Sequence, residues 1–283
     1  MEKLTKLREH FNDLGIDGML ITSPSNRHYM TGFTGTAGTA VISEQEAKFI
    51  TDFRYVAQAT SQVKGYEIVE NRDVIGEVAE LASKMGITKL GFEQDHLSYK
   101  QFNDFNEKVQ VELVPVSGVI EQLRTIKTEK EIKILKTAAE IADRAFNHIL
   151  EYIRPGITEM DVNNELEFYM RKQGATSSAF DTIVASGYRS AMPHGVASNK
   201  VIEKGDMVTM DFGAYYEGYC SDITRTVAVG EAQEKLKEIY DIVHEALEKG
   251  TESFKPGVSC RDIDSVVRDY ITEQGYGKEF GHG

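Results

Sequence analysis

A chain of 283 residues, 41% hydrophobic and 27% charged with only five prolines, has the composition of a globular protein long enough for two cores of ordinary size. The 32 Lys+Arg against 45 Asp+Glu leave a formal net charge of −13, which argues against sequence-independent nucleic-acid binding because that depends on basic residues neutralising phosphates. No run reaches the roughly 18 consecutive apolar residues of a membrane span. The first ten residues, Met1 to His10, form a charged amphipathic stretch without the apolar stretch of a signal peptide. Cys220 and Cys260 form neither a disulfide framework nor a C-x-x-C pair, so a reducing cytoplasm is expected.

Short apolar runs alternate with helix-length amphipathic runs over residues 1–122. Strands are expected at 18–22, 39–43, 47–51, 67–69, 89–92 and 111–116, with helices at 73–85 and 99–108 among them. Such alternation predicts an α/β layer domain. The glycines of Gly32-Phe33-Thr34-Gly35-Thr36-Ala37-Gly38 are spaced G-x-x-G-x-x-G, follow no clear strand and precede a strand-like segment. That context excludes a dinucleotide-binding turn and predicts a surface loop. The character changes around Leu123–Thr128, where Thr128 and Glu131 have capping-box spacing and open a helix running to about Arg154. Two domains are therefore expected, 1–122 and 123–283.

The second domain contains a repeat. Arg154-Pro155-Gly156-Ile157-Thr158-Glu159-Met160-Asp161 recurs as Lys255-Pro256-Gly257-Val258-Ser259-Cys260-Arg261-Asp262, and the same offset carries Tyr169 to Tyr270 and Gly174 to Gly275. Each copy predicts a helix ending at Pro-Gly, a hydroxyl residue capping the next helix, and a glycine closing it. After Gly174 the first copy continues through strand-like sequence to about Val229, whereas the second stops at Gly283. Equivalence of the halves implies a domain truncated at its C-terminus, with later strands and residues missing.

The segment Asp206–Ala228 predicts a β-hairpin turning at Glu217-Gly218. A two-residue turn there sets Asp211 opposite Thr224 and Asp222 opposite Gly213. Side chains of one parity share a face, so Asp211, Asp222 and Thr224 point the same way, while Val208, Met210, Phe212, Ile223 and Val227 face a core. Two carboxylates aimed at one spot repel unless a cation or a shared proton compensates, and a metal is the usual answer. The alternative is a pair of solvated strand-end residues. His194, in the loop Met192-Pro193-His194-Gly195, is either a solvated loop histidine or a group able to donate to a developing oxyanion. The histidines at 10, 28, 96, 148 and 244 have helical or N-terminal contexts and are expected to be structural or exposed.

At these residues the chain resembles the Xaa-Pro aminopeptidase/prolidase branch of the pita-bread metallopeptidases, related to methionine aminopeptidase and creatinase. The resemblance rests on Thr51-Asp52-Phe53-Arg54-Tyr55, on Phe180-Asp181-Thr182-Ile183-Val184-Ala185-Ser186-Gly187 leading to Pro193-His194-Gly195, and on Met210-Asp211-Phe212-Gly213-Ala214 followed by Ser221-Asp222-Ile223-Thr224-Arg225-Thr226. It implies an α/β N-terminal domain of the creatinase/prolidase type, then an α+β pita-bread catalytic domain with a pseudo-twofold repeat. It also implies two divalent metal ions, manganese first among Mn, Co and Zn, held in the family by two Asp, one His and two Glu. Asp211 and Asp222 match the two Asp, and His194 matches the histidine that contacts substrate. Phe280-Gly281-His282-Gly283 fits the start of the family's F-x-H-x-x-G-H pattern, making His282 a substrate-side residue; in another register His282 is itself a metal ligand. Creatinase shares the fold without metals but lacks the Asp pair.

The implied activity is hydrolysis of the peptide bond preceding proline by a metal-activated hydroxide, in a cytoplasmic homodimer acting on proline-containing peptides. Because the remaining ligands would follow Gly283, this chain alone is expected to have little or no activity. The alternative is a catalytically dead fold acting as a binding module.

Overall fold

The computed structural model describes residues 2–281, and its contacts divide the chain into two compact units, Met1–Ile132 and Lys133–Gly283. The first opens with α1 (Glu2–Glu9) and α2 (Phe11–Leu14), followed by β1 (Gly18–Ile21) and α3 (Pro24–Thr31). Then come β2 (Thr39–Ser43), β3 (Ala47–Thr51), α4 (Val56–Gln62) and β4 (Glu67–Glu70). It closes with α5 (Val74–Lys84), β5 (Lys89–Glu93), α6 (Tyr99–Lys108), β6 (Glu112–Val116) and α7 (Val119–Thr125). The strands form one mixed sheet in the order β4-β3-β2-β1-β5-β6.

Both faces of this sheet are covered, so its central strands are apolar at nearly every position instead of alternating. Met19, Ile21, Ile42 and Phe49 pack on one side with Leu4, Leu7 and Phe11 of the first helices. Leu20, Val41, Ile50 and Leu90 pack on the other with Val78, Leu81 and Phe105 of α5 and α6. Pro115 lies in β6, a sheet edge, where a missing N–H leaves no ladder bond unmade. The glycine-rich segment after α3 is a loop as expected, but not a merely superficial one. Phe33 is buried in the core, and the buried Arg27 guanidinium donates to the carbonyls of Gly35 and Gly38 at 2.8 and 2.9 Å.

The second unit begins along α8 (Glu129–Tyr152) and α9 (Glu159–Lys172). Short strand β7 (Ser177–Ser178), β8 (Ile183–Ser186) and a 3-10 turn (Gly187–Ala191) follow. After them come β9 (Met207–Phe212), β10 (Ala214–Tyr216), β11 (Tyr219–Cys220), β12 (Ile223–Ala228), α10 (Glu234–Ser253) and α11 (Cys260–Glu273). Strands β8, β9 and β12 form one antiparallel sheet with β9 central; β7, β10 and β11 form a second. Val184, Val208, Met210 and Phe212 pack against Ile141, Ala145 and Ile149 of α8 and Val162 and Leu166 of α9.

The capping box at the start of α8 forms. The Thr128 hydroxyl accepts from the Glu131 amide, and the Glu131 carboxylate accepts from the Thr128 amide. The repeat is also visible in the backbone. Helices α9 and α11 are each 14 residues long and start 101 residues apart, capped by Thr158 and Ser259, which accept from the amides of Asp161 and Asp262 at 3.1 Å. Gly156 and Gly257 before them, and Gly174 and Gly275 after them, all have positive φ.

Candidate metal centre

The hairpin forms with the expected register. Glu217 and Gly218 have φ of 45° and 86°, the two left-handed residues of a tight hairpin turn, and Tyr216 pairs with Tyr219 across them. Asp211 stands opposite Thr224. The Thr224 hydroxyl donates to Asp211 Oδ1 at 3.0 Å, and Thr209 and Thr226 share a hydroxyl hydrogen bond at 3.0 Å one step along the same face. Val208, Met210 and Phe212 are buried on the other face. The core-face parity also includes Arg225, whose guanidinium lies 6.0 Å from the centre of the Phe146 ring.

In one respect the hairpin differs from a continuous ladder. Pairing with β9 ends at Ile223–Phe212 and resumes at Tyr215–Cys220 in the other sheet. The interruption has a steric cause at Gly213. A Cβ there would meet the Ser221 carbonyl oxygen at 1.8 Å, so only glycine lets that backbone cross so closely. The Ser221 hydroxyl then accepts from the Ala214 amide at 2.9 Å, covering the break. Asp222 occupies the break itself, free of ladder geometry.

Asp211 and Asp222 are brought together. Burial first, then the charge of Asp211 and a hydrogen bond with it, push the Asp222 carboxyl above the usual carboxylate range. Two acids that resist simultaneous ionisation form a donor set suited to a divalent cation, which would remove the repulsion that raises one of them. Among the described residues no group of three or more His, Cys, Asp and Glu side chains is arranged to hold a metal.

His194 is exposed, in the loop between β8 and β9. Ile183 of β8 bridges Val196 on one side and pairs with Asp211 on the other, so Val196, Ile183, Asp211 and Thr224 form one row across the sheet. Two strand spacings separate Val196 from Asp211, about 10 Å, and His194 is two residues from that row. His282 lies outside the described residues. The Thr51–Tyr55 motif is in the first unit, where Thr51, Asp52, Phe53 and Arg54 line a cavity of about 450 Å³ together with Asn71 and Arg72. The Arg54 side chain donates twice to Asp52, whose carboxyl falls to about 2. Of the other described histidines, His148 pairs with Glu165 at 2.5 Å and stacks on Tyr169, and so ties α8 to α9.

The sequence reading passed over Glu159, Arg189 and Ser198. Glu159 begins α9 with its carboxylate fully buried. It accepts from the amide and hydroxyl of Ser186 at 2.7 and 2.9 Å, from Arg189 Nε at 3.0 Å, and from the amide and hydroxyl of Ser198 at 3.1 and 2.6 Å. Burial alone would raise its pKa. The Ser198 hydroxyl, the amide and hydroxyl of Ser186, and the Arg189 charge outweigh it and hold the carboxyl below its usual value. One signal was available in the repeat, because Glu159 corresponds to Cys260 where the flanking capping positions agree.

Residues 133–283 match the model of metallopeptidase family M24, and residues 3–126 match that of the Creatinase/Prolidase N-terminal domain. The chain belongs to metallopeptidase family M24. Its fold is that of an M24 pita-bread domain preceded by a creatinase-type N-terminal domain. It is 57% identical to an uncharacterised peptidase, YqhT, of Bacillus subtilis over 99% of this chain and 80% of the relative. It is 42% identical to an Xaa-Pro dipeptidase of Pyrococcus horikoshii, over 99% of this chain and 79% of that one. A solved Xaa-Pro dipeptidase from Bacillus anthracis superposes with a TM-score of 0.97 at 61% identity, covering all of this chain and 80% of that structure. These matches support an M24 peptidase and give no support to the expectation that the chain is inactive.

Proposed function

We propose that this M24 chain takes part in hydrolysis of the peptide bond preceding proline, with Asp211 and Asp222 as metal ligands and His194 on the substrate side. The observation that carries the reading is the contact between Asp211, opposite Thr224 in the ladder, and Asp222, in the break beside it. The names of the similar Xaa-Pro dipeptidases support the substrate class. Manganese is the expected ion, since hard carboxylate oxygens suit it, and Co and Zn remain compatible. A homodimer in the cytoplasm completes the reading, the latter supported by two exposed free cysteines.

Asp211 and Asp222 would hold a divalent metal, which when bound would supply Lewis acidity toward the scissile carbonyl and lower the pKa of water. The chain's own residues do the rest. The Thr224 hydroxyl holds Asp211 Oδ1 and so fixes which lone pairs of that carboxylate remain for a ligand. His194, projecting from an exposed loop, reaches the carbonyl oxygen of a bound peptide and donates to the charge that develops there. The amide before proline has no N–H, so recognition depends on ring shape and on that carbonyl.

The test is release of proline from an Xaa-Pro dipeptide in Mn²⁺, with an Xaa-Ala dipeptide as control. Proline-selective release lost in Asp211→Asn and Asp222→Asn supports the reading; equal cleavage of both peptides, or release that persists in Asp222→Asn, refutes it. A catalytically dead binding module of this fold is the other outcome the test separates. Its signature is saturable Xaa-Pro binding without turnover.

A further inference from the structure

We propose that Glu159 and Arg189 are positioning residues that clamp the 187–197 loop and thereby place His194; the role given to His194 rests on the function proposed above. Five donor contacts converge on the two oxygens of one fully buried carboxylate. Oε1 holds Ser186, where the loop leaves β8, and Oε2 holds Ser198, where it returns. Arg189, inside the loop, donates from Nε to Oε2 at 3.0 Å and from Nη2 to the Val196 carbonyl at 2.6 Å. One carboxylate therefore gathers both ends and the middle of the segment, and Arg189 extends its hold to within two residues of His194. Lys200 closes the base of the loop from outside, donating to Ser186 Oγ at 2.9 Å and to Asp206 at 2.8 Å.

A simpler role, starting the helix, does not account for Glu159. The N-cap function belongs to Thr158 and Asp161, which bond reciprocally. The amides of Glu159 and Met160 go to the carbonyls of Lys200 and Ser198, and the contacts of the Glu159 carboxylate go to the loop. The equivalent helix α11 provides an internal control. It has the same length and a matching hydroxyl cap, yet begins with Cys260, which is exposed. A buried carboxylate is therefore no requirement of this helix start. Burying one is costly unless its lone pairs are filled, and here the loop's donors fill them.

The test uses the whole chain as Glu159→Gln, Arg189→Lys, His194→Ala and the Glu159→Gln/His194→Ala double. Glutamine keeps the shape but presents an NH₂ where two or three donors converge. Lysine keeps the charge but cannot span Glu159 and the Val196 carbonyl together. Amide hydrogen exchange across 186–198 is expected to quicken at least about tenfold in Glu159→Gln and Arg189→Lys, with later turns of α9 unchanged. Wild-type exchange rates across that segment overturn the clamp. For Xaa-Pro dipeptide affinity in Mn²⁺, Glu159→Gln and His194→Ala are each expected to lose roughly 10- to 100-fold. The double should lose no more than His194→Ala, because a displaced histidine and an absent one are equivalent. Losses that add overturn the positioning role. Wild-type affinity in His194→Ala refutes the substrate-side reading of His194, and with it the placement, while exchange still decides the clamp. Should Glu159→Gln fail to fold, Arg189→Lys carries both measurements.

Discussion

The chemistry of Asp211 and Asp222 lies in their proximity, which strains the protein in the absence of a cation. The Asp222 carboxyl is raised in the folded state, so its ionised form is disfavoured there relative to the unfolded chain. Above its unfolded value this group destabilises the fold, and the deficit grows as pH rises through the folded value. Asp222→Asn is therefore expected to raise the melting temperature at neutral pH in chelator. The gain should be under about 1 kcal/mol, because both groups are reached by solvent. Added Mn²⁺ should stabilise the wild type and leave Asp222→Asn unmoved in the same thermal melt; an equal shift in both would remove Asp222 from the ligand set. Gly213 is the other residue whose role is purely local. Gly213→Ala drives a methyl into the Ser221 carbonyl, and urea unfolding is expected to show a loss of about 2–4 kcal/mol.

At the scale of elements, strands and caps were read well because their signals are short-range. The strands at 39–43 and 47–51 coincide with β2 and β3, and the helix at 99–108 coincides with α6. The hairpin register followed from one fact, a two-residue turn, and the period of two does the rest. Glu217 is the only non-glycine with positive φ among the described residues, a conformation for which Glu has no aptitude. Glu217→Asn, giving Asn-Gly, is expected to stabilise by about 1 kcal/mol in chemical denaturation. What could not be read was the break at Gly213, which depends on where Ser221 crosses in space. The short helices α3, α4 and α7 were also missed, since seven or eight residues carry too little periodicity. Val243 and Leu247 on α10 are exposed, whereas the first copy's equivalents Ala142 and Phe146 contribute to a core.

The whole molecule has separate cores in its two units, one on each face of the first sheet and a third between α8, α9 and the β8-β9-β12 sheet. Calorimetry is expected to resolve two transitions, with Mn²⁺ raising only the one that Asp222→Asn leaves unresponsive. Acid should also weaken the second unit. Glu159 is held below its ordinary value of 4.5, so its contribution is complete above that pH and is lost as pH falls through the lower folded value. The second unit's transition should therefore drop below about pH 4.5, and less steeply in Glu159→Gln. Among the described residues no helix is long and apolar enough to cross a membrane, in keeping with the hydropathy of the sequence.

By itself the sequence determined the α/β first domain, the repeat with its caps and glycines, and the parity that sets Asp211 across from Thr224. Each of these is decided by neighbours a few residues apart or by a strict period. The tertiary structure alone decided that Asp222 sits in a broken ladder against Asp211, and that a helix start 35 residues before His194 governs its loop. Buried carboxylates are understood through their partners, and the partners of Glu159 are 27, 30 and 39 positions away along the chain. No local pattern connects them; only folding brings those donors to one pair of oxygens.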